Sequence, residues 1–586
     1  MTAFVLLVLL ALPCRAGEWA DSVAAALEGS ISRLSFAAPD LKLPGLAQSD
    51  SPAPGRQLAG MDLAAASREI SAAGERLSQL SSAEHFLNLP VTDGSGFNSK
   101  VLLQSGLDSV VDSLGSYLPA ISRSLTLLLA ANRELTAAFQ LLTPAEKEQL
   151  RSLVAGFEFW RDEWPDYPVR RMVELAGRVD LARLASAGGL LAQCVAQIRE
   201  TGVTDTGSLR APLTFATPWG DVVVGTSGSD HYGARVMLIV DPGGDDTYQI
   251  PSGYWPAVSV IVDFGGDDIY GAPSASLGGA LCGASWLEDI SGDDRYRAGP
   301  ISLGCGALGV GVLVDREGDD TYESTSLTQG AAFYGYGALI DLNGGDCYRA
   351  EFGAQGACFA PGEAILADLA GNDRYFAGGR YRDYRSAGAT KSFAQGCAAG
   401  IRPLAFGGRA ALYDRKGTDF LEISYLGQGA GYWGGFGLLV SDGGDDHYVA
   451  GRYAQGCGLH FAAGALVDLN GNDSYTLEGV GQGAGEDRAW GVMLEGSGDD
   501  TYHSARMARG AGGTGGVGLL LELGGDDTYP SAGQVTGGAG SRTWELPGMG
   551  LMFDMRGRDN YGDGYADGQI TDNGVWGARL DLPSDN

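Results

Sequence analysis

Histidine is scarce, with five in 586 residues and no two of them at ligand spacing from each other. That leaves no recognisable zinc or copper centre. The eight cysteines are scattered, whereas disulfide-stapled folds crowd theirs. Cys305, Cys397 and Cys457 share one register, two residues after the first residue of a Leu-Gly or Gln-Gly step. They are expected to stack as small buried hydrophobes. Basic side chains are outnumbered 40 to 72, for a net charge of −32. Such a surface repels nucleic acid and anionic membranes and suits cations. There is no Gly-x-Ser-x-Gly, P-loop or His-Glu-x-x-His motif. No catalytic residues are therefore assigned. The N-terminal apolar run, Ala3 to Leu12, is too short to span a bilayer. With Pro13 to Gly17 it is expected to be a signal peptide, residues 1–16, although no Lys or Arg precedes it. No later segment is expected to be transmembrane.

Glycine is abundant, at 93 residues, but without the Gly-x-y period of collagen. Hydrophobic residues make up 44%, so the chain is not depleted in apolar content as disordered chains are. The charge is uneven: residues 211–586 carry −27 of the net −32. Residues 17–60 read as a low-order linker region and 61–210 as an α-helical domain. Thr143, Pro144 and Glu146 form a helix start with a capping box, and further helices are expected near 168–178 and 180–200. The cluster Phe157, Phe159, Trp160 and Trp164 is expected to pack, and this domain could cap the end of the repeats.

From 211 to 586 one motif recurs thirteen times. With the residue that opens it as position zero, copies begin at Gly225, Asp241, Asp263, Asp289, Asp315, Asp341, Asp368, Asp414, Ser441, Asp468, Glu495, Glu522 and Asp554. The spacing is 26 or 27 residues through most of the array, with one step of 46 between Asp368 and Asp414. Three mostly apolar residues precede position zero. Position three is glycine, position five is always aspartate, and position seven is tyrosine in every copy but one, where Leu421 replaces it. A unit this short cannot bury its own apolar face, whereas stacked units can. The expected fold is mainly β: a right-handed parallel β-solenoid of about 13 coils, with the tyrosines as an inward ladder.

Stacking places the aspartates in a line. Like charges about 5 Å apart repel by about 3 kcal/mol at an effective dielectric of 20, so something must offset them. One answer is a cation held between coils. Its candidate ligands are Asp241, Asp263, Asp289, Asp315, Asp341, Asp368 and Asp468 at position zero. At position five they are Asp246, Asp268, Asp294, Asp320, Asp346, Asp373, Asp446, Asp473, Asp500, Asp527 and Asp559. Further acids at position four, such as Asp245, Asp267 and Asp319, could contribute. An all-oxygen set suits calcium. The other answer is an Asx-turn, in which each aspartate accepts its own turn's N–H groups and binds no metal.

The segments Gly371-Asn372-Asp373-Arg374-Tyr375, Gly471-Asn472-Asp473-Ser474-Tyr475 and Gly525-Asp526-Asp527-Thr528-Tyr529 resemble half of the hemolysin-type (RTX) calcium-binding nonapeptide. The resemblance covers about five residues per coil. It implies aspartates and turn carbonyls binding calcium between coils of a parallel β-roll. Three features depart from that family: the longer period, the missing Gly-Gly pair and the N-terminal signal. The whole looks closer to a large-coil parallel β-helix.

The strand before position zero is apolar on both sides, so both sides are expected to be covered, the outer one by the helical domain or a second copy in a homodimer, ahead of an outside partner. The long step holds an insertion, about 376–400, rich in basic and aromatic residues: Arg380, Tyr381, Arg382, Tyr384, Arg385 and Lys391. It reads either as a loop pairing with neighbouring carboxylates or as the cleft of a polysaccharide lyase. The sequence as a whole points to a secreted or cell-surface, bacterial, calcium-stabilised scaffold or adhesion protein. A protein or glycan surface is its expected partner.

Overall fold

The computed structural model describes residues 118–161, 166–201, 209–234, 236–252, 258–385, 388–530, 537–543, 546–565, 569–572 and 577–581. All of them belong to one compact unit, Leu89–Asn586. The expected signal peptide, the linker, any helix before 118 and Trp164 lie outside the described residues.

Four helices come first: α1 (Leu118–Ala138), α2 (Pro144–Ala155), α3 (Asp166–Ala176) and α4 (Leu181–Thr201). The start of α2 is the expected capping box. The Thr143 hydroxyl accepts from the Glu146 N–H at 3.3 Å, and the Glu146 carboxylate accepts from the Thr143 N–H at 2.9 Å. α4 is long and apolar enough to cross a membrane by length and composition alone. Here its apolar face, including Leu184, Leu191, Val195 and Ile198, is buried. It packs on α1 and on the strands Val258–Asp263, Ala284–Glu288 and Val310–Asp315. The helices thus cover the outer apolar face of these coils. Glu288, which interrupts the apolar stripe, is fully buried there between Arg199 of α4 and Arg316.

The repeats form a parallel β-solenoid with three sheets of 16, 13 and 9 strands. Each motif copy supplies one strand of the 13-stranded sheet, carrying its Asp-x-Tyr. Register is held without slippage through the middle of the array: Asp315 pairs with Asp341 and Asp341 with Asp368, while Tyr296 pairs with Tyr322 and Tyr322 with Tyr348. The smallest sheet is built from two-residue strands such as Gly306–Ala307 and Ala332–Phe333. The core joins two columns. Leucines two residues before position zero, such as Leu313, Leu339 and Leu366, face the tyrosines of position seven. From Tyr232 to Tyr375 the rings stack at 4.5–4.8 Å, close to the spacing of strands. Leu421 interrupts the column, which resumes from Tyr448 to Tyr561 at 4.8–5.1 Å. The described cysteines are free, and Cys305, Cys397 and Cys457 are buried as their register implied.

The turn glycine meets two demands at once. Gly498 has φ +148°, and a Cβ there would lie 1.3 Å from the carbonyl oxygen of Gly471 in the preceding coil. Stacking at this spacing leaves no room for a side chain.

The insertion ties parts of the molecule together. Arg380 pairs with Glu351 at 2.7 Å and Arg385 with Asp383 at 3.4 Å. Lys391 is buried, and its ammonium donates to the Trp160 carbonyl at 2.6 Å.

Candidate cation ladder

Most turns of the solenoid bring two acids into the interior, and they do different work. At position zero the carboxylate caps its own turn in several coils, while Oδ1 of Asp315, Asp414, Asp468 and Asp554 is buried with no hydrogen-bond partner. Oδ1 of Asp241 and of Asp263 accepts the N–H two residues on at 2.8 Å, and Asp289 does so at 3.0 Å. This is the expected Asx-turn, but at position zero, not position five. Oδ2 faces the other way and accepts the phenol of the preceding coil's tyrosine. Tyr296 donates to Asp315 at 2.5 Å, Tyr322 to Asp341 at 2.7 Å, Tyr348 to Asp368 at 2.7 Å and Tyr375 to Asp414 at 2.6 Å. Glu495 and Glu522 take the phenols of Tyr475 and Tyr502 in the same manner.

Position five works between coils. The N–H of Asp294 donates to Oδ1 of Asp320 in the next coil at 2.6 Å, Asp320 to Asp346 at 2.6 Å and Asp346 to Asp373 at 2.7 Å. The pattern runs from Asp230 to Asp559. In most coils one oxygen at this position is left over. Oδ2 of Asp246, Asp320, Asp346, Asp373, Asp419, Asp473, Asp500 and Asp527 is buried with no hydrogen-bond partner. These residues are at most 2% exposed. A buried carboxylate oxygen without a donor is costly.

Position four faces solvent. Asp245, Asp267, Asp293 and Asp319 are exposed. They form a second ladder that accepts from the following coil, as when Asp319 accepts the Gly345 N–H at 2.8 Å. The structure therefore separates these acids from the buried set to which the sequence could have assigned them.

The buried acids come together in threes. Position five of one coil joins positions zero and five of the next, with one oxygen from each within 4.8 Å of the others. Asp246, Asp263 and Asp268 form one such cluster, Asp268, Asp289 and Asp294 the next, and Asp294, Asp315 and Asp320 the one after. Of the candidate ligands of the sequence, Asp241, Asp246, Asp263, Asp268, Asp289, Asp294, Asp315, Asp320, Asp341 and Asp346 fall in such clusters. Asp230, Asp414, Asp419, Asp554, Glu495 and Glu522, which that set omits, occupy the same two registers. The repeat register alone was enough to identify them. Burial raises the carboxyl groups. Asp246 is pushed up to about 6, Asp294 and Asp320 to about 7, and Asp473 to about 8, in each case mainly by loss of solvent.

Two coils lack the acid at position zero, and both show what the fifth position requires. Where Gly225 stands, the backbone N–H and hydroxyl of Thr226 donate to Oδ2 of Asp230 at 2.8 and 2.9 Å. Where Ser441 stands, its hydroxyl donates to Oδ2 of Asp446 at 2.9 Å. The coil before Ser441 is the one with Leu421 in place of tyrosine, so the phenol and the carboxylate it would bind are missing together. Among the acid-opened coils the phenols of Tyr270 and Tyr296 take this place beside Asp268 and Asp294, at 3.4 and 3.3 Å, whereas Asp320, Asp346, Asp373 and Asp473 have no donor there, which leaves the place to a proton or a cation.

A hard cation fits this donor set. The ligands are all carboxylate oxygens, they converge from two coils, and once ionised they leave negative charge that the phenol and amide donors do not offset. Compared with known protein families, with curated proteins and with solved structures, the chain matches none.

Proposed function

We propose that this protein is a secreted or cell-surface repeat scaffold whose coils are pinned together by calcium. The β-solenoid with stacked Asp and Tyr turns is a scaffold architecture, since each coil is a spacer that buries its neighbours. The observation that carries the cation reading is the row of unpartnered buried Oδ2 atoms at position five, set against the hydroxyls that fill that role beside Gly225 and Ser441. Calcium is preferred over magnesium because the clusters offer several carboxylates and no room for a retained water shell is required of it. Export supports the choice, since extracellular calcium modules work at roughly 10⁻⁴–10⁻³ M. The apolar N-terminal run supports export.

The lyase reading draws less support. Arg380 is engaged by Glu351 and Lys391 by a backbone carbonyl, so these cations fasten the insertion in place. Metal analysis of the full chain, dialysed first against chelator and then against calcium, tests the proposal. Several calcium ions per chain are expected, with magnesium unable to displace them. A chain that retains none would refute it.

A further inference from the structure

After α2 the chain runs across the solenoid as Phe157 to Arg161. Phe159 packs on Phe333 and Phe359, each at 5.1 Å between ring centres, and Trp160 stacks on Tyr381 of the insertion at 4.3 Å. From Phe359 the rings continue to Phe393 at 5.8 Å, and from Phe393 to Tyr425 at 5.8 Å. With Tyr432 and the short turn Ile401–Ala405 they wall a cavity of about 560 Å³. That lies within the roughly 300–1,000 Å³ typical of ligand pockets.

The cavity has charged residues at its border but no charge to offer. Five of them line it, and each is engaged elsewhere. Arg161 pairs with Glu158, Asp166 with Arg170 at 2.9 Å, and Arg385 with Asp383 at 3.4 Å. The Lys391 ammonium donates to the Trp160 carbonyl at 2.6 Å. The Arg402 guanidinium is held over the Trp433 ring at 5.1 Å and beside the His460 imidazole at 3.4 Å. An ionised ligand would therefore lose its water without gaining a counter-charge. A hydroxyl-rich ligand is poorly matched too, because each hydroxyl it buries needs its own partner and ring faces supply none. What remains is aromatic surface, with the phenols of Tyr425 and Tyr432 as polar handles.

We propose that this cavity binds an uncharged compound built of flat aromatic rings. Its rings would pack against Trp160, Phe359 and Phe393, offset or edge to face. A donor or acceptor on the compound would meet one of the two phenols. The proposal is independent of the cation ladder.

Two dyes test it on the full chain: phenylnaphthylamine, which is uncharged, and anilinonaphthalene sulfonate, the same ring system carrying an anion. Phenylnaphthylamine fluorescence is expected to rise to saturation at one site per chain, with the sulfonate binding more weakly and maltotriose displacing neither. Leu404→Trp, at a half-buried place in the lining, should fill the cavity and abolish the saturable rise. Tyr432→Ala, also half-buried, should weaken phenylnaphthylamine about two- to tenfold, the worth of one ring contact. Each variant is read only with an unchanged melting temperature, so one decides the matter if the other melts early. No saturable binding, tighter binding of the sulfonate, displacement by maltotriose, or full affinity in a variant that melts normally would each overturn the proposal.

Discussion

The coil opened by Ser441 and the coils opened by aspartate share one backbone and solve one electrostatic problem in two ways. At Ser441 the buried Asp446 oxygen receives a neutral hydroxyl, and Leu421 stands where the matching phenol would be. In the coil of Asp341 and Asp346, the phenol of Tyr322 reaches Asp341 while the second oxygen of Asp346 has no donor. The first coil leaves no oxygen of Asp446 without a donor. The second is complete only when a proton or a cation arrives. The fold tolerates both because strand pairing and the leucine column are the same in each.

The largest difference should be collective and should depend on pH. Burial lifts Asp294, Asp320 and Asp368 to about 7 from the ordinary 3.8. Between those values the folded chain holds protons that the unfolded chain has released. In chelator, stability should therefore fall as pH rises from about 4 through about 7. Calcium should reverse the slope, because it binds the ionised form. Melting temperatures at pH 5 and pH 8, with and without calcium, check both signs.

Converting the exceptional coil should cost next most. Ser441→Asp buries a carboxylate beside Asp446 with no phenol to meet it, and should destabilise by about 3 kcal/mol in chelator. Adding Leu421→Tyr should return about 1–3 kcal/mol. Urea unfolding of the two single variants and the double gives the coupling directly. Tyr348→Phe makes the opposite change, stripping the donor from Asp368, and should cost about 1–3 kcal/mol. Smallest of all, Asp319→Asn on the exposed ladder should stay within about 0.5 kcal/mol and leave the response to calcium intact. A large effect there would mean that the outer ladder, not the buried one, holds the cations.

The solenoid was legible because its period fixes which residues stack: position five had to form a column, and Tyr322 had to lie beside Tyr348. The helix start at Thr143 was legible for the same kind of local reason. The division of labour between the two acids was not. Whether Asp320 caps its own turn or accepts from the coil before it depends on the rise and offset of neighbouring turns, which spacing along the chain does not encode. Nor did the sequence place Lys391 against Trp160, a contact between residues 231 positions apart. The pairing of Leu421 with Ser441 was visible only as two exceptions until the structure set the phenol of one coil against the acid of the next.

The most direct test is a thermal melt of the full chain followed by circular dichroism, in EGTA and then in millimolar calcium or magnesium. Ligand linkage predicts that calcium raises the melting temperature by many degrees and that magnesium does not. A melt unchanged by calcium would contradict the cation ladder, and the leftover oxygens of position five would then be held by protons alone.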